Sequence, residues 1–516
     1  MSGNEAIARG AYEAGIYAGF GYPGTPSTEI LENFVLYSGI YAEWSVNEKV
    51  ALEAATGASL GGVRAMCTMK HVGLNVALDA YMTLAYTGIN GGLVVVSADD
   101  PGMHSSQNEQ DNRYIGKFSY TPVIEPSDSR EAKDFMKAAV EISEKFDLPV
   151  MFRITTRIAH SKSVVEIDPG FKPGFPKKKM DVPWEKYVMM PLNAKKKRVL
   201  LVDKYRELKK FAETTELNTE EELSGDIGFI TSGAAYQYVK EVFPDKSVLK
   251  LGLLNPIPIQ KIKSFAAKVK ELYVVEELEP YIEDILKAEG IKLEGKSVFP
   301  LIDELTPDII RDSFDKFKGA QIRNPQSASR NQSVPSRPPS LCVDCGHRGV
   351  FKVLSEMGLV VAGDIGCYTL GALPPFSALH TCIDMGSAIN HAYGIEKAGE
   401  PPDKVVAVIG DSTFMHSGIT GMANMVYNGG NILTIILDNR TTAMTGRQPH
   451  AAAGKTLMGK AANNIDLEKL LEGLGVPLVA VIDPFETKKL KELVSVYLVK
   501  KGVKVIIARR ECALLK

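Results

Sequence analysis

The sequence predicts an α/β protein built on parallel sheets, and three observations predict it. Short apolar runs such as Gly92–Ala98 end abruptly in turn residues, here Asp-Asp-Pro-Gly. Such runs have no polar alternation, as expected for strands buried on both faces. They alternate along the chain with stretches of helical period, which implies a layered fold with crossover helices.

The elements follow in order. Asn4–Ala18 reads as an amphipathic helix, and Ala51–Leu60, rich in Ala and Gly, as a tightly packed one. Gly92–Ala98 and Leu148–Ile154 are strands, and they complete a first unit over residues 1–160. Residues 161–224 carry Pro-Gly-Phe-Pro-Lys-Lys-Lys, Asn-Ala-Lys-Lys-Lys-Arg and Thr-Glu-Glu-Glu-Leu. These charge runs read as solvated faces of a connecting segment. A second α/β unit, 225–317, has strands at 227–231, 248–251 and 272–276 and a helix at 234–242. Residues 318–340 are polar and aperiodic, a linker by composition. The third unit, 341–516, has strands at 405–409, 432–437 and 503–508.

Length agrees with this division, since 516 residues make about three domains at the usual size. Sixty Lys and Arg stand against 62 Asp and Glu, a formal charge of −2. That balance gives no electrostatic reason to expect nucleic acid or an anionic membrane. No apolar run approaches a membrane span, and no basic stretch with an apolar core opens the chain. Six cysteines are too few for a disulfide scaffold. A cytoplasmic protein is expected.

The strongest chemical signal is the apolar run 405–409 followed by Gly410-Asp411-Ser412, then 25 residues, then Asp438-Asn439. Two strands thereby deliver an Asp and an Asn to one sheet edge, where open α/β sheets bind ligands. An Asp, an Asn and a backbone carbonyl make the oxygen shell of a small hard cation carrying a diphosphate. Gly410 lets the backbone approach the phosphates, and a helix starting near Ser417 would aim amides at them. The segment resembles the diphosphate-binding signature of thiamine-diphosphate enzymes, with Ser412 where many have Gly. That resemblance implies Mg²⁺ held by Asp411, Asn439 and the carbonyl of Thr441. It also places Met385, before Gly386, as the apolar prop of the bent cofactor; a core methionine is the plainer reading.

A thiamine enzyme needs a carboxylate against the aminopyrimidine ring, an acid–base task in a buried site. Glu48 and Glu53, in Trp44-Ser-Val-Asn-Glu-Lys-Val-Ala-Leu-Glu53, are both candidates, and Glu48, opening a helix after a strand-like stretch, is preferred. Gly19-Phe-Gly-Tyr-Pro-Gly24 has dinucleotide-fingerprint spacing, but Pro23 sits inside it. As Tyr22-Pro-Gly-Thr-Pro-Ser27 it resembles the substrate-binding turn of 2-oxoacid:ferredoxin oxidoreductases, which gives Thr25 the carboxylate of the oxoacid.

These segments, with Thr68-Met-Lys-His-Val-Gly-Leu-Asn, Asp364-Ile-Gly-Cys-Tyr-Thr-Leu-Gly, Gly410–Gly418 and Thr442–His450, resemble the large subunit of the indolepyruvate:ferredoxin oxidoreductase family. The resemblance implies two thiamine-diphosphate-binding-type, doubly wound parallel-sheet domains flanking a transketolase C-terminal-like α/β domain. Residues 1–160 take the pyrimidine-binding role and 341–516 the diphosphate-binding role. It implies that an aryl pyruvate, coenzyme A and oxidised ferredoxin yield the arylacetyl-coenzyme A, CO₂ and reduced ferredoxin. It implies a smaller β subunit in a heterotetramer, and a ferredoxin or ferredoxin-like partner. Cys342, Cys345, Cys367 and Cys512 stand in the order that related enzymes use for a [4Fe–4S] cluster; buried free thiols and a zinc site with His347 are the other readings. Long subunits of this family end in a ferredoxin-like domain, which this sequence does not contain; it is expected on another polypeptide or a longer form. His71, His104, His380, His416 and His450 lie near motifs; the pair Lys70-His71 and His450 are favoured as proton donor or coenzyme contact. The rival functions are a non-oxidative thiamine-dependent decarboxylase and a nucleotide-binding subunit without turnover.

Overall fold

The computed structural model describes residues 1–180, 183–223, 225–319 and 339–515. They belong to two compact units, one within residues 1–330 and the other within 331–516.

The first unit holds β1 (Ala18–Gly21), β2 (Tyr41–Trp44), β3 (Ala65–Lys70), β4 (Leu93–Asp99), β5 (Val123–Ile124) and β6 (Val150–Thr155). It also holds β7 (Thr219–Glu221), β8 (Ile227–Thr231), β9 (Ser247–Lys250), β10 (Leu253–Asn255) and β11 (Glu271–Val275). A seven-stranded sheet runs β10-β5-β6-β4-β3-β1-β2. All its pairings are parallel except β10 with β5. From β1 the chain moves outward to β2, then returns to the opposite side of β1 for β3 and β4. The order therefore reverses between β1 and β3, the switch point beside which open α/β sheets bind their ligands. A second sheet runs β11-β8-β9-β7.

The second unit is one parallel sheet, β12 (Val360–Ala362), β13 (Val405–Gly410), β14 (Leu433–Asp438), β15 (Leu478–Ile482) and β16 (Lys504–Arg509), in the order β12-β13-β14-β16-β15. Alternation explains why these strands read as unbroken apolar runs. Val406, Val408, Ile435 and Ile506 enter one core, whereas Val405, Ala407, Ile409, Ile436 and Ile507 enter the core on the other face.

Several expected boundaries move for local reasons. The first helix is Gly3–Glu13, shorter than the expected 4–18. Ser2 and Glu5 form a reciprocal cap at its start, and Gly15 at φ +69° turns the chain away after Ala14. The helix expected at 51–60 begins at Glu48, capped by Asn47, whose side chain accepts from the Val50 amide at 2.9 Å. The segment 161–224 is more than a connection. It contains a 22-residue helix, Pro191–Ala212, and β7, which pairs antiparallel with β9 at a sheet edge. The basic run at 193–198 lies on that helix, so its charges mark a solvated helical face. The helix expected from Ser417 is preceded by helical turns starting at Asp411: Asp411–Thr413, a π turn over Phe414–Gly418, then Ile419–Tyr427. Most of the expected linker, residues 320–338, lies outside the described residues. Among the described residues no helix is long and apolar enough to cross a membrane.

Candidate functional site

In the second unit, β13 and β14 are neighbours in register, Gly410 opposite Leu437. Asp411 and Asn439 therefore both follow directly on neighbouring strands at the sheet's carboxyl edge. Asp411 is buried. Its Oδ1 accepts from the Ser412 amide at 2.9 Å and its Oδ2 from the Arg440 amide at 2.8 Å. The third contact is His450, whose Nε2 lies 3.1 Å from Oδ2. His450 Nδ1 accepts from the Ala452 amide, so Nε2 carries the proton and donates to Asp411. Both ring nitrogens are thus engaged, and the imidazole fixes the carboxylate. Asn439 Oδ1 accepts from the Thr441 amide at 3.1 Å, and the Thr441 hydroxyl donates to the Gln448 carbonyl at 3.2 Å. The Ser412 and Thr442 hydroxyls meet at 2.7 Å. A carboxylate, an amide oxygen and a peptide carbonyl are hard oxygen donors, the kind that suits Mg²⁺ better than a softer metal.

Two glycines give this edge its shape. A Cβ on Gly410 would come within 2.7 Å of the Tyr368 ring. Gly386 sits at φ +94°, and a Cβ there would stand 2.5 Å from that of Ser417. The Gly386 amide donates to Asp364 Oδ2 at 3.1 Å. Met385 beside it is half-buried.

Sequence reasoning passed over two groups here. Asp364 is fully buried at the end of β12, bonded by the Tyr368 hydroxyl and the Gly386 and Ala388 amides. Burial pushes its carboxyl up to about 7, against those bonds. His347, weighed only as a zinc ligand, is buried with its Nε2 3.5 Å from Asn439 Nδ2. Burial drives its pKa down to about 4, so the imidazole is neutral at physiological pH.

The four cysteines come from three segments of this unit, and all are free. The Cys345 amide donates to the Cys342 carbonyl at 3.2 Å, and the Cys512 amide to the Asn439 carbonyl at 3.0 Å. Burial first, then the nearby sulfurs of Cys345, Cys512 and Cys342, push the Cys367 thiol up to about 11. Cys345 is raised by burial, with Cys342 and Cys512 adding to it. The four sulfurs are therefore electrostatic neighbours. Among the described residues, however, no three His, Cys, Asp or Glu side chains are set to grip a single metal ion. Thiolates are the natural ligands of an iron–sulfur cluster.

In the first unit, Glu48 is buried at the start of its helix. It packs on Gly73, where a Cβ would lie 2.6 Å from its Cγ and Oε1. Glu53 is exposed and pairs with Lys49, so it has no buried acid–base role to play. Thr25 is half-buried in the loop after β1, its carbonyl accepting from the Ser105 hydroxyl at 3.2 Å. His71, fully buried, follows β3 and places Nε2 3.1 Å from Asn108 Oδ1. Of the other histidines, His104 is exposed beside Glu304 and His380 accepts the Val361 amide at 3.0 Å.

A family described as thiamine pyrophosphate enzyme, C-terminal TPP binding domain, matches residues 364–508. One described as pyruvate flavodoxin/ferredoxin oxidoreductase, thiamine diphosphate binding, matches residues 9–218. Together they define a thiamine-diphosphate-dependent oxidoreductase of the 2-oxoacid class. Indolepyruvate oxidoreductase subunit IorA of Archaeoglobus fulgidus is 40% identical across all of this chain, which covers 86% of that protein. The Pyrococcus horikoshii IorA is also 40% identical, with 85% covered. The chain belongs to the indolepyruvate oxidoreductase subunit IorA family. A solved 2-oxoglutarate:ferredoxin oxidoreductase from Magnetococcus marinus, with 2-oxoglutarate, coenzyme A and succinyl-CoA bound, superposes with a TM-score of 0.51 at 18% identity. That likeness, over 61% of this chain and 64% of that one, concerns the fold.

Proposed function

We propose that this chain is the thiamine-diphosphate-binding subunit of an enzyme that oxidatively decarboxylates aryl pyruvates, indolepyruvate among them, to arylacetyl-coenzyme A and CO₂ while reducing ferredoxin. The observation that carries it is the placement of Asp411 and Asn439 just past the ends of two neighbouring parallel strands. Residues 1–160 act as the pyrimidine-binding domain, 225–317 as the transketolase C-terminal-like domain and 341–516 as the diphosphate-binding domain.

Thiamine diphosphate supplies the electron sink for loss of CO₂ when it is bound. Asp411, Asn439 and the Thr441 carbonyl would hold its Mg²⁺, with His450 orienting the Asp411 carboxylate. Gly410 and Ser412 would lie against the bound diphosphate, and Met385 with Gly386 would pack against the cofactor. Glu48, buried at its helix start, would be the acid–base group for the aminopyrimidine. Thr25 donates its hydroxyl to the substrate carboxylate, and His71 stands on the same edge as a proton source. Cys342, Cys345, Cys367 and Cys512 would hold a [4Fe–4S] cluster, the one-electron relay that a ferredoxin acceptor requires.

The working enzyme contains a smaller β subunit, meets ferredoxin or a ferredoxin-like subunit, and operates in the cytoplasm. The test is anaerobic co-purification with that subunit, followed by assay with indolepyruvate, coenzyme A and ferredoxin. Coenzyme A-dependent ferredoxin reduction, with iron and sulfide that Cys512→Ala removes, is expected. Release of arylacetaldehyde without ferredoxin reduction would establish the non-oxidative decarboxylase instead.

A further inference from the structure

Lys70 is the last residue of β3, and Thr25 lies in the loop that follows β1. These are the two strands that flank the switch point of the seven-stranded sheet. The two loops touch, for a Cβ on Gly24 would stand 3.1 Å from the Lys70 Cβ. The Lys70 side chain is nine-tenths buried. Its ammonium donates to the Ser105 carbonyl at 2.5 Å and to the Ser105 hydroxyl at 3.3 Å.

An ammonium has three donors, and Ser105 uses two of them. Among the described residues no carboxylate comes within ion-pair distance of the third. Asp100 is the nearby acid, yet it is engaged elsewhere. Its Oδ2 takes the Ser105 amide at 2.8 Å and the Ser106 hydroxyl at 2.5 Å, and its Oδ1 takes the Thr156 hydroxyl at 2.6 Å. Lys70 is thus a buried cation without a partner anion. Protein interiors ordinarily pair such a charge. Burial also lowers the Lys70 pKa to about 8, with Asp100 only partly opposing, the perturbation usual for groups that meet ligands. No described group bonds the Thr25 hydroxyl, and Ser105 joins the two residues, its hydroxyl meeting both the Lys70 ammonium at 3.3 Å and the Thr25 carbonyl at 3.2 Å.

We infer that Lys70 is the cation that binds the carboxylate of the 2-oxoacid substrate, acting together with the Thr25 hydroxyl. This rests on the decarboxylase reading above and adds the residue that selects acids over neutral carbonyl compounds. Ser105 has a positioning role, since its carbonyl and hydroxyl hold the ammonium in place.

The experiment uses the complete enzyme with its smaller subunit and the variants Lys70→Met and Lys70→Arg. Inhibition by an aryl 2-hydroxy acid is compared with inhibition by its primary amide. Lys70→Met should raise the KM for the aryl pyruvate about 100-fold and abolish the preference for acid over amide. Bound thiamine diphosphate should be unchanged, and Lys70→Arg should restore the preference. A Lys70→Met enzyme with normal cofactor content and an intact acid preference overturns the assignment. If Lys70→Met does not fold, Lys70→Gln replaces it with the same two outcomes. A wild-type enzyme that turns over no 2-oxoacid overturns the underlying function, whereas a retained preference overturns only the role of Lys70.

Discussion

Glu48 and Glu53 are five residues apart on one helix and have opposite surroundings. Glu48 is buried against Gly73, whereas Glu53 stands in solvent with Lys49. Glu48→Gln should keep thiamine diphosphate but slow exchange of the thiazolium C2 proton by roughly 10²–10⁴, the usual worth of a positioned acid or base. Glu53→Gln should leave exchange within about twofold, and proton-exchange NMR of the bound cofactor decides between them. Asp411→Ala removes the only carboxylate of the proposed Mg²⁺ set. It should reduce co-purified thiamine diphosphate to under about a tenth of the wild-type content, since phosphate neutralisation is lost with the metal. Normal cofactor content in that variant would falsify the metal assignment. Asp411 and Asn439 were legible in the sequence because each lies next to an apolar strand whose end is easily located. Lys70 was only half legible. Its missing partner depends on how residues 100–106 fold back over it, and no local pattern encodes that. The state of Asp364 was not legible, because it is set by burial under segments distant in sequence, which no local pattern encodes.

Elements place these side chains by close contact. The short helix His71–Val76 presents Gly73 to Glu48, and only a hydrogen fits between them. Gly73→Ala should push the Glu48 carboxyl aside without altering its chemistry. The expected result is C2-proton exchange slowed at least about tenfold, with a stability loss of about 1–3 kcal/mol from overpacking. Gly57, on the Glu48 helix, is the control. A Cβ there meets nothing within 4 Å, so Gly57→Ala should stabilise by about 0.5–1 kcal/mol and leave exchange unchanged. Thermal melts and exchange rates of the two variants check this together. The strands at 405–409, 432–437 and 503–508 matched expectation to within a residue or two, because burial on both faces gives continuous apolar runs. The 161–224 segment did not, because Pro191–Ala212 is a largely solvated helix whose Lys and Arg mask its narrow apolar side.

At the scale of the whole molecule, charge is buried as well as exposed. Arg113 pairs with Asp111 and with Glu276 at 2.7 Å, and Arg153 pairs with Asp99 at 2.7 Å and with Glu125. Glu277 lies beside this network, and its carboxylate accepts the Leu305 amide at 3.1 Å. Burial pushes its pKa up to about 7 from the usual 4.5. The folded state then keeps a proton that the unfolded chain has released. Stability from this group is full below about pH 4.5 and falls as pH rises through 7. Wild type should lose roughly 3 kcal/mol across that window relative to Glu277→Gln. Paired denaturant titrations at pH 4.5 and pH 8 measure the difference, and parallel curves would show that Glu277 is not the source.

The strand β10 bears on how such a chain can be cut and recombined. It belongs in sequence to the second sheet's region, yet it closes the edge of the first, with Leu253 opposite Ile124. Asn255 rivets it there, donating to the Gly116 and Thr121 carbonyls at 3.1 and 2.6 Å. A chimera that exchanged residues 225–317 with a relative would therefore import a foreign edge strand into the sheet that bears Thr25 and Lys70. A fragment ending near residue 224 would leave β5 uncovered, a template for strand pairing between copies. The workable breakpoint lies after both sheets, which makes residues 1–319 the smallest exchangeable part on that side of the chain.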